Sequence, residues 1–213
     1  MPTQPYKNSE GERVPGVTTV IGGNLGWNKS PLMYWAWNEG INGRNFRDTS
    51  QKAADTGTIA HAMVEGELKG KDWRDLVNLK GITDDMVGRA ENAYLAWLEW
   101  ARTVNFTLLR SELSLVHDKL GYGGTIDIAA IKNETCIIDL KTSGDVYPDH
   151  KIQLAAYGDL YNYNFPHDPI RAYYLLRLGK EDGSFAYHYW PELSNAFRVF
   201  RNLLEIHKLK KAV

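Results

Sequence analysis

Cysteine is nearly missing from this chain: Cys136 is the only one in 213 residues. A lone thiol forms no intramolecular disulfide, no four-cysteine zinc site and no iron–sulfur cluster, so any metal must be held mainly by carboxylate oxygen and imidazole. Long apolar runs are lacking too. No stretch approaches the roughly 18 apolar residues of a membrane span, and the opening MPTQPYKNSEGER is polar, so neither insertion nor secretion is signalled and a cytoplasmic location is expected. Nor is there an excess of one charge. Lys and Arg total 25 against 26 Asp and Glu, a formal net charge of −1. That balance disfavours a protein that coats nucleic acid through a broad basic field, while leaving room for a local groove. Internal repeats, low-complexity tracts and Gly/Pro/Ser-rich linkers are absent as well.

What is present is enough apolar material, 43% hydrophobic and 12% aromatic, to bury a core as one domain over residues 1–213. The first part, 1–104, reads as mainly helical. Ser30-Pro31 has the form of an N-cap followed by proline at the first helical position, opening a Trp-rich helix, PLMYWAWNEG. Its rings, with Trp27, Tyr34, Trp35 and Trp37 in sequence, are expected to pack into a helical core. A second helix is expected over about Gly57 to Lys69 and a third over about Asp84 to Arg102. In the third, Met86, Ala90, Ala93, Tyr94, Trp97 and Ala101 recur at helical spacing as a buried stripe. From Phe106 the period becomes that of strands: FTLLRSELSLVH, YGGTIDIAAI and TCIIDLKT. A helix from Pro148 to about Tyr161 then crosses to IRAYYLLRL and SFAYHYW, and a last helix starts at Pro191. This order predicts an α/β fold in which 105–213 form a mixed central sheet flanked by helices.

The charges inside the strands are harder to explain by burial. A loop of odd length centred on Asn133 sets Ala130 against Cys136, Ile128 against Ile138, Asp127 against Asp139 and Ile126 against Leu140. Ile126, Ile128, Ile138 and Leu140 would then share one face and Asp127, Asp139 and Lys141 the other. Pairing His117 with Tyr122 across the preceding turn brings Glu112 opposite Asp127. Three carboxylates side by side repel one another and call for a cation, and an all-oxygen set favours magnesium or manganese. A hard divalent ion that activates water and neutralises a phosphate, beside a lysine, is machinery for cutting a phosphodiester.

These residues also carry a resemblance. GTID, then IIDLKTS, then QLAAY resembles the PD-(D/E)XK (restriction-endonuclease-like) nucleases, within them the RecB-like exonuclease branch that includes phage and bacterial exonucleases and the mitochondrial genome maintenance exonuclease. GTIAHAMVE resembles that branch's upstream histidine segment, and PGVTTVIG fits the same group. The resemblance implies a magnesium-dependent deoxyribonuclease, with manganese able to substitute. It would act on DNA, preferring single-stranded ends, in recombination, repair or genome maintenance, in the host cytoplasm for a phage-encoded protein. It implies Asp127, Asp139, Lys141, Glu112 and His61 as catalytic residues, and Asp127, Asp139, His61 and the Leu140 carbonyl as metal ligands. Gln153 and Tyr157 match its QxxxY signature, with Thr142, Ser143 and Glu65 as DNA-binding or supporting residues. The branch's cluster-bearing members use several cysteines, which this chain lacks.

Blander readings stand beside these. A D/E-x-K triplet alone means little, and Glu67-Leu68-Lys69 is one inside an expected helix. His61 with Glu65 could be a solvated helical pair, Glu112 an edge-strand residue, and Gln153 and Tyr157 ordinary packing. His117 and His150 read as surface or turn residues. The aromatic segment could instead stack on unpaired bases, with Arg44, Arg47 and Lys52 along a phosphate track. Two other functions compete: a structure-specific endonuclease or flap nuclease of the same core, and a non-catalytic DNA-binding or recombination partner.

Overall fold

The computed structural model describes residues 5–27, 29–210 and 212–213. Helices α1 (Val17–Asn24), α2 (Lys29–Ile41), α3 (Phe46–Lys69) and α4 (Asp84–Thr103), with a short 3-10 turn at Trp73–Asp75, precede the first strand. Then come β1 (Thr107–His117), β2 (Tyr122–Lys132), β3 (Glu134–Lys141), α5 (Pro148–Asn164), β4 (Ala172–Leu178), β5 (Phe185–Trp190) and α6 (Ser194–Leu209). The five strands lie in one sheet in chain order, antiparallel except for β3 and β4, which run parallel and are joined through α5. The mixed α/β sheet expected from the sequence is present, with helices on both faces.

Each face has its own core. On one, Ile59, Met63 and Val64 of α3 and Ala90, Trp97 and Trp100 of α4 pack on Ile128, Cys136, Ile138 and Leu140. On the other, Val17, Val20 and Ile21 of α1, Leu154 and Leu160 of α5 and Phe200 and Leu204 of α6 pack on Tyr122, Ile126, Ile137 and Leu175. The helical first hundred residues are thus split between the two outer layers. Burial of apolar area at about 25 cal/mol per Å² drives both contacts.

Local signals account for most helix ends, and for the places where expectation and structure part. Helix α4 starts where predicted because Thr83 caps it, its hydroxyl accepting from Met86 N, with Asp84 and Asp85 in the first turn. Helix α3 begins at Phe46 rather than near Gly57. Asn45 caps it by accepting from Arg47 N, and the polar run RDTSQKAAD carries no apolar stripe by which a sequence reveals a helix. Helix α2 begins at Lys29, so Ser30 lies inside it instead of capping it, and Pro31 falls in the first turn, where its missing N–H costs nothing. Helix α6 begins at Ser194, three residues after Pro191, because Glu192 Oε2 accepts from Ser194 N at 2.8 Å.

Two further expectations are corrected. Trp27, Tyr34 and Trp37 do not enter a core: all three stand in solvent, and only Trp35 is half-buried, edge-on to Phe46. His117 and His150, read as surface or turn residues, are both buried, His117 at the β1–β2 turn, where its Nδ1 accepts from Leu120 N, and His150 in the first turn of α5. His117 stacks on Tyr163 with Nε2 3.5 Å from Asp159 Oδ2. His150 Nδ1 accepts from Tyr147 N at the start of α5, and burial pulls its imidazole down to about 4. No helix among the described residues is long and apolar enough to cross a membrane.

Candidate metal centre

The hairpin turn between β2 and β3 is held by Asn133 at φ 69°, a left-handed conformation that asparagine tolerates better than most residues. The resulting register is the expected one: Lys132↔Glu134, Ala130↔Cys136 and Ile128↔Ile138. Across the other turn, His117↔Tyr122, Leu113↔Ile126 and Ser111↔Ile128 also agree. Both ladders break at the acids. The β1–β2 pairing skips Glu112 and Asp127, with Glu112 at φ 48°, and the β2–β3 pairing ends at Ile128↔Ile138. Instead, Asp127 Oδ2 accepts from the Leu140 N–H at 2.8 Å.

This break corrects the expected faces. Ile126 packs with α1, α5 and α6, whereas Ile128, Ile138 and Leu140 pack with α3 and α4. Strand β2 turns over at Asp127, as an irregular residue in a ladder shifts the two-residue alternation.

Around that point, α3 supplies His61, whose Nδ1 lies 3.6 Å from Asp127 Oδ1 and 4.0 Å from Glu112 Oε1. One ligand atom each from His61, Glu112 and Asp127 fall within 4.8 Å of one another. Asp139 on β3 is fully buried, and its Oδ2 is 2.6 Å from Lys141 Nζ. That charged contact is what holds the buried Oδ2. Helix α5 brings Gln153 Nε2 to 3.5 Å from Asp139 Oδ1, and the same nitrogen donates to Tyr157 Oη at 3.0 Å. The expected row of three carboxylates is therefore distributed: Glu112 and Asp127 gather with His61, and Asp139 lies with Lys141 and Gln153.

A cavity of about 1100 Å³ opens here, lined by His61, Glu65, Glu112 and Lys141, by Gly57 and Thr58 of α3, and by Tyr6 and Lys7. Tyr6 was not anticipated. It reaches this wall because its ring packs on Gly123, where a side chain would collide with it, and its hydroxyl bonds Thr125 Oγ1, itself bonded to Ser114 Oγ. The two consecutive glycines, Gly123-Gly124, were the legible trace of such close approaches. Lys69 was also missed: it bonds Glu65 Oε1 at 2.5 Å, an i,i+4 pair on α3. Thr142 Oγ1 packs against Gly57, whereas Ser143 Oγ donates to the Asp145 carbonyl within its own turn.

The electrostatics are those of acids crowded away from water. Burial, then the Asp127 and Glu65 charges, push Glu112 up to about 8. Burial raises Asp139 to about 6 against the opposing pull of Lys141. Burial would lower the Lys141 ammonium, yet the Asp139 and Asp127 carboxylates outweigh it and hold the group above its ordinary value. Two oxygen donors and an imidazole within one ion's reach, next to the buried Asp139 carboxylate, fit a hard divalent cation. Cys136 lies apart in the apolar core against α3 and α4, its thiol raised to about 11 by burial.

No family model and no curated protein matches the sequence. Among solved structures, the chain is similar to a Eubacterium rectale protein named as a candidate exonuclease, at 16% identity and a TM-score of 0.48, covering 81% of this chain and 70% of that one. It is also similar to the protein SSO0001, at 17% identity and a TM-score of 0.33, covering 71% and 74%. Likeness this distant leaves the chemistry to be argued from the residues of the site.

Proposed function

We propose that this protein is a divalent-metal-dependent nuclease of the PD-(D/E)XK superfamily, of its RecB-like exonuclease branch, that hydrolyses DNA from single-stranded ends. The observation that carries the reading is the gathering of His61, Glu112 and Asp127 at a cavity wall, immediately beside the buried Asp139–Lys141 pair. Asp127, Asp139, His61 and the Leu140 carbonyl would hold magnesium, or manganese in its place, with Glu112 completing the set. Such an ion supplies activation of water and neutralisation of charge on the phosphate.

The chain's own groups supply the rest. Lys141 lines the cavity with its proton retained, so it can orient a phosphate oxygen and stabilise the charge that grows there. Asp139 fixes the lysine, and Gln153, braced by Tyr157, fixes Asp139. Glu65 holds Lys69 and adds negative charge beside Glu112; Thr142 and Ser143 shape the turn after β3. Recombination, repair or genome maintenance is the setting that suits such an activity.

The decisive experiment incubates the protein with end-labelled single- and double-stranded DNA and with circular single-stranded DNA, with and without magnesium. Nucleotide release from linear single strands, dependent on magnesium and absent on circles, is the expected result; cutting of circles would move the assignment to an endonuclease. Asp139→Ala and Lys141→Ala should each lower the rate at least about a hundredfold with an unchanged circular-dichroism spectrum. Near-normal digestion by either variant would sink the site.

A further inference from the structure

Apart from the candidate metal centre, the strongest unexplained feature is the outer face of α2. Trp27 just before it, and Tyr34 and Trp37 on it, are 59%, 64% and 60% exposed, and Met33 and Ile41 extend the same stripe. Side chains of this size and number are normally covered by something. Their surroundings are basic: residues 27–52 hold four cations, Lys29, Arg44, Arg47 and Lys52, against two carboxylates, in a chain whose overall charge is −1. Glu39 is buried and paired with Arg44 at 2.7 Å, so the charges outside that pair in this stretch are Lys29, Arg47 and Lys52 against Asp48.

The patch is also connected to the cavity. Trp35 of α2 meets Phe46, the first residue of α3, and Arg47 lies over the Phe46 ring. From there one face of α3 runs through Arg47, Gln51, Ala54, Thr58 and His61, at alternating steps of four and three residues that keep them in line. Ala54, Thr58 and His61 line the cavity, and Arg47, Gln51 and Ala54 are exposed. From Phe46 to His61 this helix face is about 20 Å long.

We propose that the exposed rings of α2 are a second binding site, for unpaired bases of a single-stranded polynucleotide whose backbone follows α3 into the metal centre. The proposal rests on the nuclease reading of that centre. Rings flanked by cations match a strand that offers flat bases and phosphates together, whereas bases inside a duplex are already stacked and present no free face. A strand advances about 3.4 Å per nucleotide, so the face of α3 from Phe46 to His61 has room for about six nucleotides. A second copy docking stripe to stripe would need none of the cations, nor the connection to the cavity.

The test uses fluorescein-labelled dT12 and dT2, with anisotropy measured in EDTA so that nothing is cleaved, on the wild type and on the Tyr34→Ala/Trp37→Ala double variant. Each ring should contribute about fivefold or more in affinity, so the variant should bind dT12 at least about 25-fold more weakly. Binding of dT2, too short to join the rings to the centre, should be far weaker than that of dT12 in the wild type. Hydrolysis of thymidine 5′-(p-nitrophenyl phosphate) with magnesium should be equal in the two proteins. Failure of the wild type to hydrolyse that small diester would count against the nuclease reading and leave the binding result to stand. Unchanged dT12 affinity in the variant would overturn the α2 site. So would a wild-type dimer that the variant splits without loss of dT12 binding, since the stripe would then join two copies.

Discussion

Glu112 carries two costs at once: a left-handed backbone, worth about 1–3 kcal/mol for a residue of its type, and a carboxylate packed among Asp127 and Glu65 away from water. Neither is needed for the fold, since Ser111 and Leu113 on either side pair normally with β2. Strain and charge crowding concentrated on one residue at a cavity wall suit a carboxylate placed to meet a cation. The consequence for stability has a definite sign. The folded Glu112 is raised from 4.5 to about 8, so its contribution is fully favourable below pH 4.5 and is lost as the pH rises through 8. In EDTA, the wild type should therefore lose thermal stability between pH 5 and 8.5. Glu112→Gln, which keeps the shape without the charge, should flatten that decline and melt higher than wild type at pH 8.5 while losing nuclease activity. A variant with the wild-type slope would mean that Glu112 is solvated in solution.

At the scale of elements, the hairpin β2–β3 was legible because two independent requirements agreed: an asparagine that tolerates the left-handed turn, and a register that pairs isoleucine with isoleucine and alanine with cysteine. The core stripe of α4 was legible by period, with Met86, Ala90, Ala93 and Trp97 buried as read, though Trp100 takes the inner position that Ala101 was expected to share. Three things were not legible. Helix α1 is spelled VTTVIGGN, β-branched residues and glycines that disfavour a helix until tertiary packing on α6 imposes one. The reversal of β2 at Asp127 arises from the site itself. The exposure of α2 could not be read because apolar composition says nothing about whether a covering layer exists. The candidate site divides in the same way: the acids and His61 were named from motif and register, while Tyr6 reaches it only through folding and Lys69 joins it through Glu65, one turn away on α3. Gly124 ties the sheet to the site, because a Cβ there would lie 2.7 Å from the Tyr157 ring that braces Gln153. Gly124→Ala should cost about 1–3 kcal/mol in urea unfolding and lower the cleavage rate as well. Unaltered stability would show that α5 can retreat freely from the sheet.

For the whole molecule, the candidate metal centre is where the layers meet: His61 comes from a helix on one face, Glu112, Asp127 and Asp139 from three adjacent strands, and Gln153 from a helix on the other face. A bound cation would therefore stabilise the entire arrangement, by about 2.7 kcal/mol when its concentration is a hundred times its Kd. For a chain of this length that corresponds to a rise in melting temperature of about 5–10 °C. The ion competes with protons for the same oxygens. Asp139, raised to about 6, and Glu112, raised to about 8, are both largely protonated at pH 5.5, and both are mainly ionised at pH 8.5. Magnesium should thus raise the melting temperature strongly at pH 8.5 and little at pH 5.5. Asp139→Asn should remove most of the effect at the higher pH, because the amide can neither supply the charge nor hold Lys141 in place. Differential scanning calorimetry in EDTA and in magnesium at the two pH values measures all of this. An equal magnesium shift at both pH values, or one retained in Asp139→Asn, would place the cation elsewhere on the protein.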